Sequence, residues 1–403
     1  MLPRPDLKGE QMRERRAVNE VPVGRRVAQW RVRRNMTQQQ FADRLGKSKS
    51  WVDKIERGAR RLERVSNLRE IADALRIDVQ VLLAERPARP GQADAGVERI
   101  RAALARYHVP APPRPPDVAQ LRAGLEHAKQ SYRHAHYPAL LTVLPGLLDA
   151  VRSARIGRLT DTLLVPVYGL IALTMVKVDQ GELAWLTADR GMAVALASED
   201  PQLTAVATVP LCQAMRCCGR NGAALRAAVV AAHRLGPRPG AQPPAGVESL
   251  RGRLLIQAAL AAADRADEHS ARGLVDQAVE LADQGSFGGE GFGPAAVQTA
   301  RVLVEAARGD LPTATVRHER LLASPGWRWL PPEHRAAYLL DVARAYAGIG
   351  EMSRAGRALL EAERAARGEV RDRPAARNMV AVVARSTAAP ADLTRLAASL
   401  HAT

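Results

Sequence analysis

The chain has 403 residues, with 59 Lys or Arg against 42 Asp or Glu, for a formal net charge of +17. That length exceeds what one small core organises, so two or more units are expected. Three cysteines are too few for a disulfide framework and point to a reducing cytoplasm, and no uninterrupted apolar run reaches the ~18–20 residues of a membrane span.

In chain order, residues 1–21 are polar and charged, lack the apolar centre of a signal peptide, and read as a flexible basic arm. Residues 24–35 form an amphipathic first helix, with Val27, Ala28 and Trp30 inward and arginines outward; Asn35 can take the left-handed conformation that stops it. Next comes Met36-Thr-Gln-Gln-Gln-Phe-Ala-Asp-Arg-Leu-Gly46-Lys-Ser-Lys-Ser-Trp-Val-Asp-Lys-Ile-Glu-Arg-Gly58. Thr37 with Gln40 makes a capping box, Ser48 can cap a second helix, and Gly58 sits where that helix would end. Phe41 and Leu45, then Val52 and Ile55, are apolar anchors at helical spacing, while Ala42 and Gly46 are small where two short helices must cross. This reads as a DNA-binding helix-turn-helix. Leu68, Ile71, Ala72 and Leu75 mark a fourth helix, and Val79 to Leu83 a short fifth. Residues 1–90 carry 22 basic and 12 acidic side chains, more than half the charge excess in under a quarter of the chain, in agreement with a nucleic-acid-binding head.

The five-helix pattern over residues 22–86 resembles the Cro/C1-type, xenobiotic-response-element family of helix-turn-helix repressors. That resemblance implies base contacts from Lys49, Ser50, Trp51 and Lys54 at the start of the recognition helix, and phosphate contacts from Gln38, Arg57, Arg60 and Arg61. The implied partner is a double-stranded DNA operator, bound by a homodimer.

Residues 87–117 read as a linker, with a helix over 96–108 and a stiff Pro110-Ala-Pro-Pro-Arg-Pro-Pro116 stretch. From 118 to 403 helical patterns fall in pairs: 118–134 with 138–153, 160–179 with 182–198, 201–217 with 222–235, 247–265 with 268–284, 294–308 with 311–324, 333–347 with 351–367 and 372–386 with 390–402. Their mean spacing of about 40 residues is near the ~34 of tetratricopeptide repeats. The expected fold is therefore all-α: a five-helix head followed by a tetratricopeptide-like helical-repeat solenoid. Tyr132-Arg-His-Ala-His-Tyr-Pro138, Leu183 to Arg190, Gly291-Phe-Gly-Pro294, Leu340 to Tyr346 and Val370-Arg-Asp-Arg-Pro374 are similar to segments of actinobacterial regulators that join a Cro/C1-type head to such a body. By analogy with peptide-sensing regulators, that resemblance implies a peptide or small-molecule effector.

First helices of stacked pairs line a concave side, where Tyr168, Gln213, Arg216, Gln257, Gln298, Arg301, Tyr338, Asp341 and Arg344 are candidate ligand contacts. Cys212, Cys217 and Cys218 fall in one helix and read as buried. His134 and His136, two apart, read as lying on different helix faces with no completed metal set, and the glycine-rich run 285–293 follows a helix and reads as a connecting loop. No phosphate-binding Gly-Lys-Ser/Thr loop occurs, so neither cofactor nor enzymatic activity is expected. The leading reading is a cytoplasmic, sequence-specific transcription regulator. The alternative is a repeat-based adaptor that touches DNA incidentally.

Overall fold

The computed structural model describes residues 24, 27–28, 31–32, 36–57, 65–75, 92–107, 117–154, 157–236, 246–284 and 291–401. The chain forms two compact units, Met1–Gly91 and Gln92–Thr403. All regular structure among the described residues is helical. The arm over 1–21, Trp30, Asn35, Gly58, the fifth helix over 79–83, Pro110 to Pro116 and most of the glycine-rich run lie outside them.

In the head, Gly24, Val27, Ala28, Arg31 and Val32 are helical. They precede α1 (Gln38–Leu45), α2 (Lys49–Glu56) and α3 (Val65–Leu75). The expected capping box is formed: Thr37 Oγ1 accepts from the Gln40 amide at 3.2 Å, and Gln40 Oε1 accepts from the Thr37 amide at 2.9 Å. Ser48 Oγ accepts from the Trp51 amide at 3.2 Å and starts α2. Val27, Phe41, Ala42, Val52, Ile71, Ala72 and Leu75 close the core, with Ile55 and Leu68 also buried. Small residues serve two different needs. Gly46 has φ 61° and open space where a side chain would stand, so it is there for the left-handed turn and not for close packing. The tight approach lies at Gly24, where a Cβ would stand 1.9 Å from the Ile55 carbonyl oxygen.

The second unit opens with α4 (Gln92–Ala105) and continues as pairs. These are α5 (Val118–Arg133) with α6 (Tyr137–Ala154), α7 (Arg158–Lys177) with α8 (Gly181–Ala197), and α9 (Pro201–Cys217) with α10 (Asn221–Arg234). Then come α11 (Val247–Ala263) with α12 (Glu268–Gln284) and α13 (Pro294–Ala307) with α14 (Leu311–Ala323). A short α15 (Pro325–Trp329) precedes α16 (Pro332–Gly348) with α17 (Met352–Ala365). A short α18 (Arg367–Arg371) precedes α19 (Pro374–Ala384) with α20 (Ala391–His401). Two expectations change. The helix assigned to a linker buries Val97, Ile100, Ala103 and Leu104 in the body's main core, packed on α6. The helix expected to run to 367 ends at Ala365, because Ala366 is extended at φ −156° and ψ 104°.

One turn geometry recurs within six pairs. Ala135, Asp179, Gly219, Ala266, Gly309 and Gly350 all have φ of 57–84° and lie 40 to 47 residues apart. After each, the next amide reaches back five residues: His136 to Ser131, Gln180 to Met175, Arg220 to Met215, Asp267 to Ala262, Asp310 to Glu305 and Glu351 to Tyr346, at 2.8–3.1 Å. This is the Schellman closure, which satisfies carbonyls that a helix end leaves bare. The turn also corrects the histidine reading. His134 and His136 flank Ala135 outside any helix, and their rings stack with centroids 5.9 Å apart.

The body is a closed ladder. Helix α5 packs on α16, and one core joins residues from Val97 to Ala214 with residues from Val302 to Leu396. At the junction, Lys177 pairs with Glu333 and with Glu369, whose other oxygen pairs with Arg373. Tyr137 donates to Glu369, and Asp179 accepts from the Ala375 amide at 2.9 Å. Tyr137 of segment 132–138 and Arg373 of segment 370–374 thus share the carboxylate of Glu369. Helix α7 is long and apolar enough to cross a membrane, yet 56% of its apolar window is buried in the body. It runs unbroken through Pro166, and Gly169 makes room for Pro210 of α9, whose Cγ lies 3.1 Å from where a Cβ would be. Of the cysteines, only Cys212 is buried; it donates to the Ala224 carbonyl, and burial pushes its thiol up to about 12. Cys217 is exposed and Cys218 intermediate because they sit where α9 ends, beyond its packed face.

Candidate nucleic-acid interface

Helix α2 has two unlike sides. Val52, Ile55 and Glu56 are buried, whereas Lys49, Ser50 and Lys54 are exposed. Helical spacing explains the division: positions 52, 55 and 56 fall on one stripe, and the N-terminal turn with Lys54 falls on the other. Trp51 lies between the two, half-buried against the head's core, so only part of its indole can reach a base edge. The exposed side offers two ammonium groups and a hydroxyl from a rigid helix start, a donor set suited to guanine O6/N7 and to phosphate.

A buried carboxylate fixes how that helix sits. Glu56 is 7% exposed and receives Arg31 in a fork, Nε to Oε1 at 2.6 Å and Nη2 to Oε2 at 2.9 Å. Arg31 Nη1 also donates to the Met36 carbonyl at 2.7 Å. Gln38, assigned above to phosphate, donates to Glu56 Oε2 at 2.9 Å; that bond uses one amide hydrogen and leaves the other for a ligand. The first helix, the start of α1 and the end of α2 are therefore tied at one carboxylate. The sequence signal for it was an acid at an inward position, four residues after Val52 and beside Ile55. Arg57 is exposed and pairs with Asp53 one turn earlier, while Arg60 and Arg61 lie outside the described residues.

Among the nine candidate ligand residues of the body, both tyrosines are buried and all three arginines are paired with acids. Tyr168 is buried, and its hydroxyl accepts from Arg152 at 2.7 Å. Tyr338 is buried against His318 Nδ1 at 2.8 Å. Arg216 pairs with Asp264 at 2.9 Å, Arg301 with Asp276 at 2.8 Å and Arg344 with Asp341 at 2.5 Å. Gln257 is buried with its Oε1 unpartnered, and Gln213 and Gln298 are half-buried. Only Arg301 of the nine lines the cavity between α12, α13 and α14.

Among known proteins, a helix-turn-helix domain family matches residues 22–85. No curated protein matches the chain. Among solved structures, the chain is similar to Bacillus thuringiensis PlcR, whose structure was determined in complex with the peptide PapR7 and DNA. The two are 14% identical, the match covers 82% of this chain and 98% of that one, and the TM-score is 0.36. Residues 22–85 of this chain are thus a helix-turn-helix domain.

Proposed function

We propose that this chain is a sequence-specific transcription regulator with a Cro/C1-type head over residues 22–86 and a tetratricopeptide-like body that senses a peptide or small molecule. The observation that carries the reading is α2, whose inner face is locked through Glu56 while Lys49, Ser50 and Lys54 stand free of the core. A preorganised helix start with exposed donors suits the major groove. One head spans only a half-site, so the regulator acts as a homodimer in the cytoplasm, on an operator with dyad symmetry.

The test is recovery of genomic fragments by the full-length protein in the presence of excess random duplex. Enrichment of one recurring motif supports the reading, and an inverted repeat of it supports the dimer. Uniform recovery in proportion to fragment length would reduce DNA contact to charge attraction, which a +17 chain provides without a recognition helix. The body would then be the functional part, as in an adaptor.

A further inference from the structure

A cavity of about 290 Å3 lies between α12, α13 and α14, at the lower edge of the ~300–1,000 Å3 typical of small-ligand pockets. Val275 and Val304 give it an apolar wall, and four arginines (Arg272, Arg301, Arg308 and Arg317) outnumber three carboxylates (Asp276, Glu305 and Asp310) around the rest. The charges are unevenly satisfied. Arg317 lies 2.7 Å from Glu305 Oε1, and Arg301 approaches the same oxygen at 3.9 Å while pairing with Asp276 at 2.8 Å. Both guanidiniums thus serve one oxygen of Glu305. The other, Oε2, is buried and has no hydrogen-bond partner, on a residue that is only 9% exposed. Arg272, at the same cavity, is exposed and has no ion-pair partner among the described residues.

A buried acceptor without a donor costs about 1–3 kcal/mol, which a bound group can recover. Burial holds the Glu305 carboxyl above its usual range even with Arg317 and Arg301 beside it, as expected where desolvation is not fully compensated. An occupant that relieves both features must bring an N–H donor for Glu305 Oε2 and an anionic acceptor for Arg272, on a frame small enough for the cavity. We propose that this cavity binds an amino-acid-derived molecule, with a free carboxylate at Arg272 and the adjacent N–H at Glu305. The proposal rests on the reading of the body as a sensing unit, and it names the chemistry sensed.

The test uses the full-length protein and calorimetric titration. The probes are N-acetylalanine, N-acetylglutamate and trialanine, each beside the matching C-terminal carboxamide. At least one free acid should bind at millimolar concentration or below while its carboxamide does not. N-acetyl acids and trialanine separate a single acylated residue from the carboxyl end of a peptide. Arg272→Ala should weaken binding roughly tenfold or more, the scale of a hydrogen bond to a charged group. Because Arg272 is exposed and has no ion pair among the described residues, its removal should leave the unliganded melting temperature unchanged. Glu305→Gln should weaken binding as well. Carboxamides binding as well as acids, equal binding by Arg272→Ala, or no binding by any probe would overturn the proposal and leave the space to water. Fluorescence anisotropy of a duplex, with and without the probe, addresses the sensing reading separately. Probe binding that leaves DNA affinity unchanged keeps the site and removes its regulatory role.

Discussion

Lys177 and Glu369 are 192 positions apart in the chain, yet Lys177 Nζ lies 2.7 Å from Glu369 Oε1 inside the body. The carboxylate is fully buried and is shared with Arg373 and the Tyr137 hydroxyl. Removing one member of such a cluster leaves buried charge without compensation, a loss of about 3–5 kcal/mol. Glu369→Ala should therefore lower the urea midpoint of the body strongly. A change under about 1 kcal/mol would mean that water reaches Lys177 and Arg373 freely.

The same cluster predicts how stability varies with pH. Burial alone would raise the Glu369 pKa, but Lys177 and Arg373 outweigh it and hold the carboxyl below its usual value. A folded-state pKa below the unfolded one gives stability that is complete above ~4.3 and is lost as pH falls through the folded value. His318 and His334 are held below the usual histidine value by burial, so the unfolded chain binds protons first and stability begins to fall below ~6.5. Melting curves from pH 8 downward should show both declines. Glu369→Gln should abolish the lower one and keep the upper; unchanged curves would remove Glu369 as its source.

In the head, Glu56→Ala strips Arg31 and Gln38 of their shared acceptor. Arg31 is mostly buried, so the loss should approach about 3 kcal/mol and loosen α2 as a whole. Hydrogen exchange of amides 38–56 should accelerate, and specific and scrambled duplexes should both bind less well. Protection equal to the parent's would show that the helix is held by its apolar face alone.

Base reading and phosphate grip separate by substitution. Lys49→Ala or Ser50→Ala should remove about 1–3 kcal/mol of discrimination between operator and scrambled duplex. Arg57→Ala, Arg60→Ala and Arg61→Ala should weaken both duplexes alike and reduce the salt slope by about one. Equal losses on the two duplexes for Lys49→Ala would take it out of the base-reading set.

The Schellman turns offer a paired test. Ala266 is exposed at φ 58°, where an L-residue is strained by about 1 kcal/mol, whereas Gly309 occupies the equivalent turn without strain. Ala266→Gly should stabilise the body modestly, and Gly309→Ala should destabilise it by a similar amount. Reversed signs, with Ala266→Gly lowering the midpoint and Gly309→Ala raising it, would show that unfolded-chain entropy dominates over turn strain.

Much of this architecture was legible in the residues. The capping box at Thr37 and Gln40, and the paired helices of the body, came from signals a few residues long: caps, apolar spacing, and Gly or Pro at breaks. Long-range closure left no such trace. Nothing near Tyr137 announces Glu369, and Lys177 ends an apolar helix where a solvated lysine would look the same. Val97, Ile100 and Leu104 show an apolar spacing, but spacing alone does not say whether a helix bridges two units or joins one. At the interface, the exposed side of α2 follows from its apolar stripe. The roles of Arg31 and Gln38 depend on how helices cross, which pattern does not encode. In three of the six Schellman turns, at Ala135, Asp179 and Ala266, alanine or aspartate stands where glycine would mark a left-handed residue, so nothing local signals the turn.

Closure of α5 onto α16 also changes what kind of object the body is. An open row of repeats can grow or shrink by a unit and can fray from either end, since each unit answers only to its neighbours. Here the partners of Tyr137 and Lys177 stand at the opposite end of the row, so the number of intervening pairs is a fixed dimension, like the stave count of a cask. Removing one internal pair would carry Glu369 out of reach of Lys177, and lineages of this protein should therefore keep their repeat number while varying freely in the loops between.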